Sequence, residues 1–115
     1  MTGDGNSCEG DRRTSVVCVL DAIPAERRSA HIALAGQLFG QPTRVPRELS
    51  NGYEFQFHPD VLEALATFIT NERRCCPFMD FELSIEAGSD YVTLRMTGPA
   101  GTRELLQAAL LKSGL

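Results

Sequence analysis

The sequence predicts an α+β fold, a two-layer sandwich with helices on one face of a mainly antiparallel sheet. Segments in which apolar and polar residues alternate indicate half-buried strands, and pairs of them joined by polar turns indicate hairpins. Segments between the hairpins carry apolar residues every three or four positions, which indicates amphipathic helices. The resulting order, β-α-β-β-α-β-β-α, is typical of one sheet layer covered by one helix layer.

The first predicted strand covers residues 14–21, which are β-branched and nearly all apolar, so we expect it to be buried. Pro24 suits the first turn of the helix that follows. That helix should end near Gly40, which precedes a proline by two residues. The sequence therefore begins its folded part with a strand and a helix.

A hairpin follows the first helix. Residues 43–49 form a weaker strand that contains Pro46, so we place it at a sheet edge. Residues 50–52 are a strong turn signal. In residues 53–57, aromatic side chains alternate with polar ones, which predicts a strand with one face in the core.

A second helix and a second hairpin follow, and a third helix closes the chain. Pro59 opens a second amphipathic helix, and Pro77 ends it. Residues 81–85 and 91–97 alternate as the two strands of a second hairpin. Thr102 is expected to cap a last helix.

The size and composition of the chain limit its function. Its 115 residues suit one domain, expected at residues 14–115 after a polar, glycine-rich tail at 1–13 that we expect to be disordered. The net charge of −4 argues against nucleic-acid binding, and no apolar run is long enough for a membrane span. The tail lacks secretory signal features, so we expect a cytoplasmic protein. In that reducing compartment, the four cysteines are expected to be free thiols or ligands rather than a disulfide framework.

The candidate site is the adjacent pair Cys75 and Cys76 at the end of the second helix. Glu72 lies about one turn earlier on the same face, so it is an auxiliary ligand candidate that needs a partner if buried. Arg73 or Arg74 can pair with it, as can a bound metal or a backbone amide, and both arginines are expected to stabilise thiolates. The alternative is that Glu72 is simply solvated.

The two thiols allow three functions. They can bind a soft or borderline ion, such as Cu, Zn, Hg or As, although two sulfurs leave such an ion short of ligands. They can act as a dithiol redox pair, or they can be buried core residues of a structural or interaction module. A homodimer, in which two thiol pairs meet, would remove the ligand shortage.

Four other residues are weaker candidates. Cys18 is expected in the core of the first strand, with a ligand role left open, and Cys8 lies in the tail. His58 precedes the second helix, roughly 26 Å from the thiols, so it should not share their site. His31 is expected on the surface of the first helix. No established enzyme motif is present, and we expect a binding protein without catalytic residues.

The stretch from Glu72 and Arg73 to Cys75-Cys76-Pro77-Phe78 resembles a motif of small uncharacterised bacterial proteins, Glu-Arg-x-Cys-Cys-Pro-Phe. The segments at residues 52–57 and 94–99 are also similar to that family. Some members are linked with heavy-metal resistance. The resemblance implies a metal or thiol role and a metal ion or a protein as partner.

Overall fold

The computed structural model describes residues 16–40 and 44–111. This part of the chain contains three α-helices and one four-stranded antiparallel sheet. In chain order the elements are α1 (Ala25–Gly40), β1 (Arg47–Leu49), β2 (Gly52–Phe57), α2 (Leu62–Cys75), β3 (Asp80–Ile85), β4 (Val92–Thr97) and α3 (Thr102–Leu106), which continues as a π-helical segment (Gln107–Leu111).

The sheet has the strand order β1-β2-β4-β3, so β4 lies between β2 and β3 and joins the hairpin of β1 and β2 to that of β3 and β4. Met96 of β4 is paired with Tyr53 of β2 on one side and with Phe81 of β3 on the other. The strand expected at residues 43–49 lies at the sheet edge as predicted, but it is shorter: β1 begins at Arg47, directly after Pro46, whose missing N–H cannot join the ladder.

The two faces of the sheet differ in burial, which confirms the two-layer α+β fold. Phe55, Leu94 and Met96 are fully buried on the face that the helices cover. Glu54 and Arg95 alternate with them and form an ion pair on the opposite, polar face. The period-two pattern of the strands therefore separates core from solvent as expected.

The predicted first strand is wrong within the described residues. Residues 16–19 are in neither a helix nor a strand, and Leu20–Ala22 is a single 3-10 turn. Val17 and Val19 are 58% and 47% exposed rather than buried. The Val19 N–H donates to the carbonyl of Cys75 at 2.6 Å, so this segment lies on the end of α2 instead of joining the sheet. The predicted tail at residues 1–13 lies outside the described residues.

The helix predictions are confirmed for α1 and α2, while α3 begins differently. Gly101 is the N-cap residue, with φ of 99°, a conformation that glycine adopts without steric cost. Thr102 is the first helical residue, and its hydroxyl donates to the carbonyl of Pro99 at 2.7 Å. Thr102 thus stabilises the turn before α3 and does not cap it.

Candidate functional site

The C-terminal end of α2 presents the predicted site residues. The Cys76 N–H donates to the carbonyl of Glu72 at 2.7 Å, closing the last helical turn. Beyond it, Pro77 cannot donate an N–H to continue the helix. Glu72, Cys75 and Cys76 are all buried, so the predicted stripe of a carboxylate followed by two thiols does point into the protein.

Cys18 joins this site from the N-terminal segment. It forms a disulfide with Cys76 across a sequence separation of 58 residues, with their Cα atoms 4.5 Å apart. Two expectations are therefore wrong: Cys18 is exposed rather than a core residue, and these cysteines are not both free thiols. The hydrogen bond from Val19 to Cys75 holds the segment in place for this pairing.

The ligand atoms of Cys18, Cys75 and Cys76 lie within 4.8 Å of one another. Cys75 is the free cysteine of the described part of the chain, beside the disulfide. In the reduced state the three sulfurs form a group that can hold a metal ion. Cys8 lies outside the described residues.

A buried histidine supports the carboxylate of the site. His31 Nε2 lies 2.7 Å from Glu72 Oε1, and both residues are at least 90% buried. The His31 ring also stacks on Phe68, with the ring centroids 5.3 Å apart. The prediction of a surface His31 is wrong, and so are the predictions of an arginine-paired or solvated Glu72.

The second oxygen of Glu72 faces the sulfur cluster. Cys76 Sγ lies 3.5 Å from Glu72 Oε2, close enough for a reduced Cys76 thiol to donate a hydrogen bond to it. Glu72 therefore connects His31 on α1 to Cys76 at the end of α2. The carboxylate stands beside the cluster as expected, although its partner differs from those predicted.

The spacing of α1 contained a signal for His31. Leu34, Ala35, Leu38 and Phe39 follow His31 at i+3, i+4, i+7 and i+8, which places all five on one helix face. Leu38 and Phe39 are buried, and so is His31. A histidine in that stripe indicates a buried residue, and a buried histidine requires a polar partner.

The electrostatics of the site oppose thiolate formation at Cys75. Burial is the main cause that raises the pKa of Cys75, followed by the neighbouring charge of Glu72, while the Val19 backbone N–H lowers it in part. Arg73 and Arg74 are exposed and are not among the groups that shift the pKa of Cys75. The expected thiolate stabilisation by these arginines is not found at this thiol.

A cavity of about 370 Å³ opens beside the cluster. Cys18, Cys75, His31 and Glu72 are its polar and thiol lining residues, and apolar side chains from α1, the 3-10 turn and the π-helical segment complete it. The cavity gives a small solute a path to the sulfurs. His58 takes no part, as predicted: its exposed ring accepts the N–H of Asp60 before the start of α2.

We compared the chain with protein-family models, curated proteins and solved structures, and none of them matches it. The resemblance carried by the Cys-Cys-Pro-Phe motif thus stays a prediction. Among the described residues, no helix combines the length and the apolar character that a membrane span needs.

Proposed function

We propose that this protein binds a soft metal or metalloid ion through Cys18, Cys75 and Cys76 in its reduced state. The observation that carries the proposal is the approach of three sulfur ligand atoms to within 4.8 Å of one another. The adjacent pair alone leaves an ion short of ligands, and Cys18 supplies a third sulfur from the same chain. A second chain is then not needed to complete the set.

The spacing of the sulfurs supports this proposal. Metal–sulfur bonds of about 2.3 Å place the sulfurs of a tetrahedral or trigonal site roughly 3.8 to 4.0 Å apart. Separations of up to 4.8 Å need only a small contraction around an ion. Cys18 and Cys76 must move apart from their bonded distance, which reduction of the disulfide permits.

The supporting residues have distinct roles in this proposal. Glu72 is held by His31 through Oε1, and its Oε2 lies 3.5 Å from Cys76 Sγ, so the carboxylate can accept a hydrogen bond from the Cys76 thiol only until that thiol loses its proton to bind an ion. Once an ion is bound, the neighbouring carboxylate disfavours a complex that carries a net negative charge. The disulfide between Cys18 and Cys76 is then the oxidised form, which releases the ion.

A dithiol redox protein is the second candidate, because the structure pairs Cys18 with Cys76 and leaves the thiol of Cys75 adjacent. Exposed Cys18 is the sulfur that an incoming thiolate reaches first, and access decides which sulfur is attacked. In this function the disulfide itself is the working group, and no ion is required.

Titration of the reduced protein with Hg(II), and separately with Zn(II), under anaerobic conditions tests the proposal. We expect one ion per chain, and loss of binding in Cys18→Ser and in Cys75→Ser/Cys76→Ser. Cys8→Ser is the matched control and should bind like the unmodified protein. Circular dichroism of each variant separates loss of ligands from loss of fold.

Two results would contradict metal binding. If Cys18→Ser binds as tightly as the unmodified protein, the three-sulfur centre is not the site. If the reduced protein binds neither ion, while the disulfide re-forms reversibly in equilibrium with a dithiol such as dithiothreitol, the redox function replaces the proposed one. One ion per two chains would instead show a site shared in a dimer.

A further inference from the structure

We infer that the ligand of the three-cysteine centre is a trivalent metalloid, bound as arsenous acid or its antimony equivalent, in preference to a divalent cation. This inference rests on the proposed function. It follows from three features of the site: the number of donors, the charge around them, and the lining of the cavity that leads to them.

The donor set of the site contains three atoms. Among the described residues, the ligand atoms that lie close enough together belong to Cys18, Cys75 and Cys76. Glu72 does not add a free fourth donor, because His31 occupies Oε1 and Oε2 faces the Cys76 sulfur. Zn(II) in structural sites takes four protein ligands. Trivalent arsenic forms three bonds to sulfur and keeps a lone pair in the fourth direction, so three thiols satisfy it.

The charge of the complex favours the same ligand. Three thiolates and a divalent cation carry a net charge of −1, and with Cu(I) the charge is −2, whereas trivalent arsenic with three thiolates is neutral. Cys76 is fully buried and Glu72 is about 9% exposed, so a net negative complex would lie in a poorly solvated site beside a carboxylate. Burying an uncompensated charge is strongly unfavourable, and a neutral complex avoids that cost.

Within residues 16–40 and 44–111, no group that lines the cavity beside the cluster supplies surplus positive charge. From α1 the titratable group is His31, and from α2 it is Glu72; even with a protonated ring, that pair is at most neutral. The 3-10 turn contributes Leu20, and the π-helical segment contributes Ala109 and Leu110, which are uncharged. Arg73 and Arg74, on the last turn of α2, are exposed and do not line the cavity.

The route to the sulfurs suits an uncharged solute. Apolar residues line the cavity together with Cys18 and Cys75, among them Leu20, Ile32, Ala35 and Leu110. Arsenous acid is a small neutral hydroxide near neutral pH, so it enters such a cavity without the desolvation cost of a divalent ion. Once inside, it can exchange its hydroxyl groups for sulfur one at a time.

The chemistry balances in two steps. First, a dithiol reductant transfers two electrons and two protons to the Cys18–Cys76 disulfide, giving two thiols and the oxidised reductant. Then As(OH)₃ reacts with the three thiols of Cys18, Cys75 and Cys76. Three As–O bonds and three S–H bonds break, and three As–S bonds and three water molecules form. Arsenic stays trivalent, so the second step needs no oxidant or reductant.

Isothermal titration calorimetry with arsenite tests the inference, with the reduced Cys8→Ser protein in the sample cell. We expect one arsenic per chain, three As–S bonds in X-ray absorption spectra, and at least about 100-fold weaker binding when any one of the three cysteines is changed to serine. Arsenite should also displace Zn(II) from the unmodified protein, a competition that needs no variant. Circular dichroism identifies any serine variant that fails to fold, and the corresponding alanine variant then replaces it.

Glu72→Gln provides the charge test. Removing this carboxylate should leave arsenite affinity within about threefold, because the arsenic complex is neutral, and should tighten Zn(II) binding by at least about tenfold. Glu63→Gln is the matched control, since Glu63 is exposed on the same helix and should change neither affinity.

The outcomes separate this inference from the proposed function. Binding of Zn(II) or Hg(II) without binding of arsenite overturns the inference and leaves a metal site. Fewer than three As–S bonds, or equal effects of Glu72→Gln on arsenite and Zn(II), also overturn it. Failure of the reduced protein to bind any of these ions overturns both.

Discussion

Replacing His31 with alanine removes the hydrogen-bond partner of the buried Glu72 carboxylate. The two side chains meet at 2.7 Å, with 4% and 12% of their side-chain surfaces exposed. The change leaves Glu72 without this partner and also removes the stacking of the ring on Phe68. We expect the folded state to lose most of what the pair contributes.

The expected cost is large for a single residue. Removing the partner of a buried hydrogen-bonded group costs about 1 to 3 kcal/mol, and more when the group left behind is charged, because that group stays buried without a partner. A domain of this size has a free energy of unfolding of roughly 5 to 15 kcal/mol. The His31→Ala protein should therefore unfold at a much lower urea concentration. The second change Glu72→Gln should restore part of the loss, because a neutral amide is less costly to bury than an unpaired carboxylate.

Urea unfolding followed by circular dichroism measures these effects in the oxidised state. His58→Ala is the matched control, because His58 is exposed, and its effect should stay within about 0.5 kcal/mol. A cost of less than about 1 kcal/mol for His31→Ala would contradict this role of His31. So would a double variant, His31→Ala/Glu72→Gln, that is less stable than His31→Ala alone.

Three further predictions concern the disulfide, a thiol and a surface ion pair. Reducing the Cys18–Cys76 disulfide opens a loop of 58 residues and should lower the free energy of unfolding by about 4 kcal/mol. Reductant should have no such effect on Cys18→Ser. An equal effect on both proteins would contradict stabilisation by this disulfide. The pKa of Cys75 is raised in the folded state, so the free energy of unfolding should fall as the pH rises above about 8.5, the pKa of an unfolded thiol. Urea unfolding at several pH values measures this decline, which Cys75→Ala should lack. Hydrogen bonds from Arg47 and Arg95 lower the pKa of Glu54, so the stabilisation from Glu54 should be present above about pH 4.3 and be lost as the pH falls. In the same urea assay, Glu54→Gln should weaken this dependence of stability on acid pH. At neutral pH its effect should be smaller than that of His31→Ala, because both arginines are exposed.

The adjacent cysteines show how far local pattern can predict a site. Proline and turn residues, with the spacing of apolar residues on α2, correctly placed Glu72 and both thiols at the end of a helix. Spacing along one helix says nothing about which distant segment contacts that end. Local pattern therefore predicts a strand at Cys18, because a β-branched apolar segment has the same residue pattern whether it joins a sheet or lies across a helix terminus.

His31 illustrates the same limit on a different element. Its place in the apolar stripe of α1 indicates burial, but a stripe does not identify the side chain that faces it. The packing of α1 against α2 brings Glu72 to 2.7 Å from His31, across 41 residues of sequence. The pair depends on the rotation and relative position of two helices, which are properties of the whole core.

Residue patterns were sufficient to predict the α+β class, the two hairpins, the end of α2 and the location of Cys75 and Cys76, whereas the helix expected to open at Pro59 starts with a 3-10 turn and becomes α-helical at Leu62. The correct predictions depend on residues close in the chain: periodicity, turn chemistry and the missing N–H of proline. The folded chain adds two contacts that no local pattern contains: Cys18 completes a group of three sulfurs, and His31 holds Glu72. Those contacts join distant segments, and they form because burial of the shared core brings the segments together.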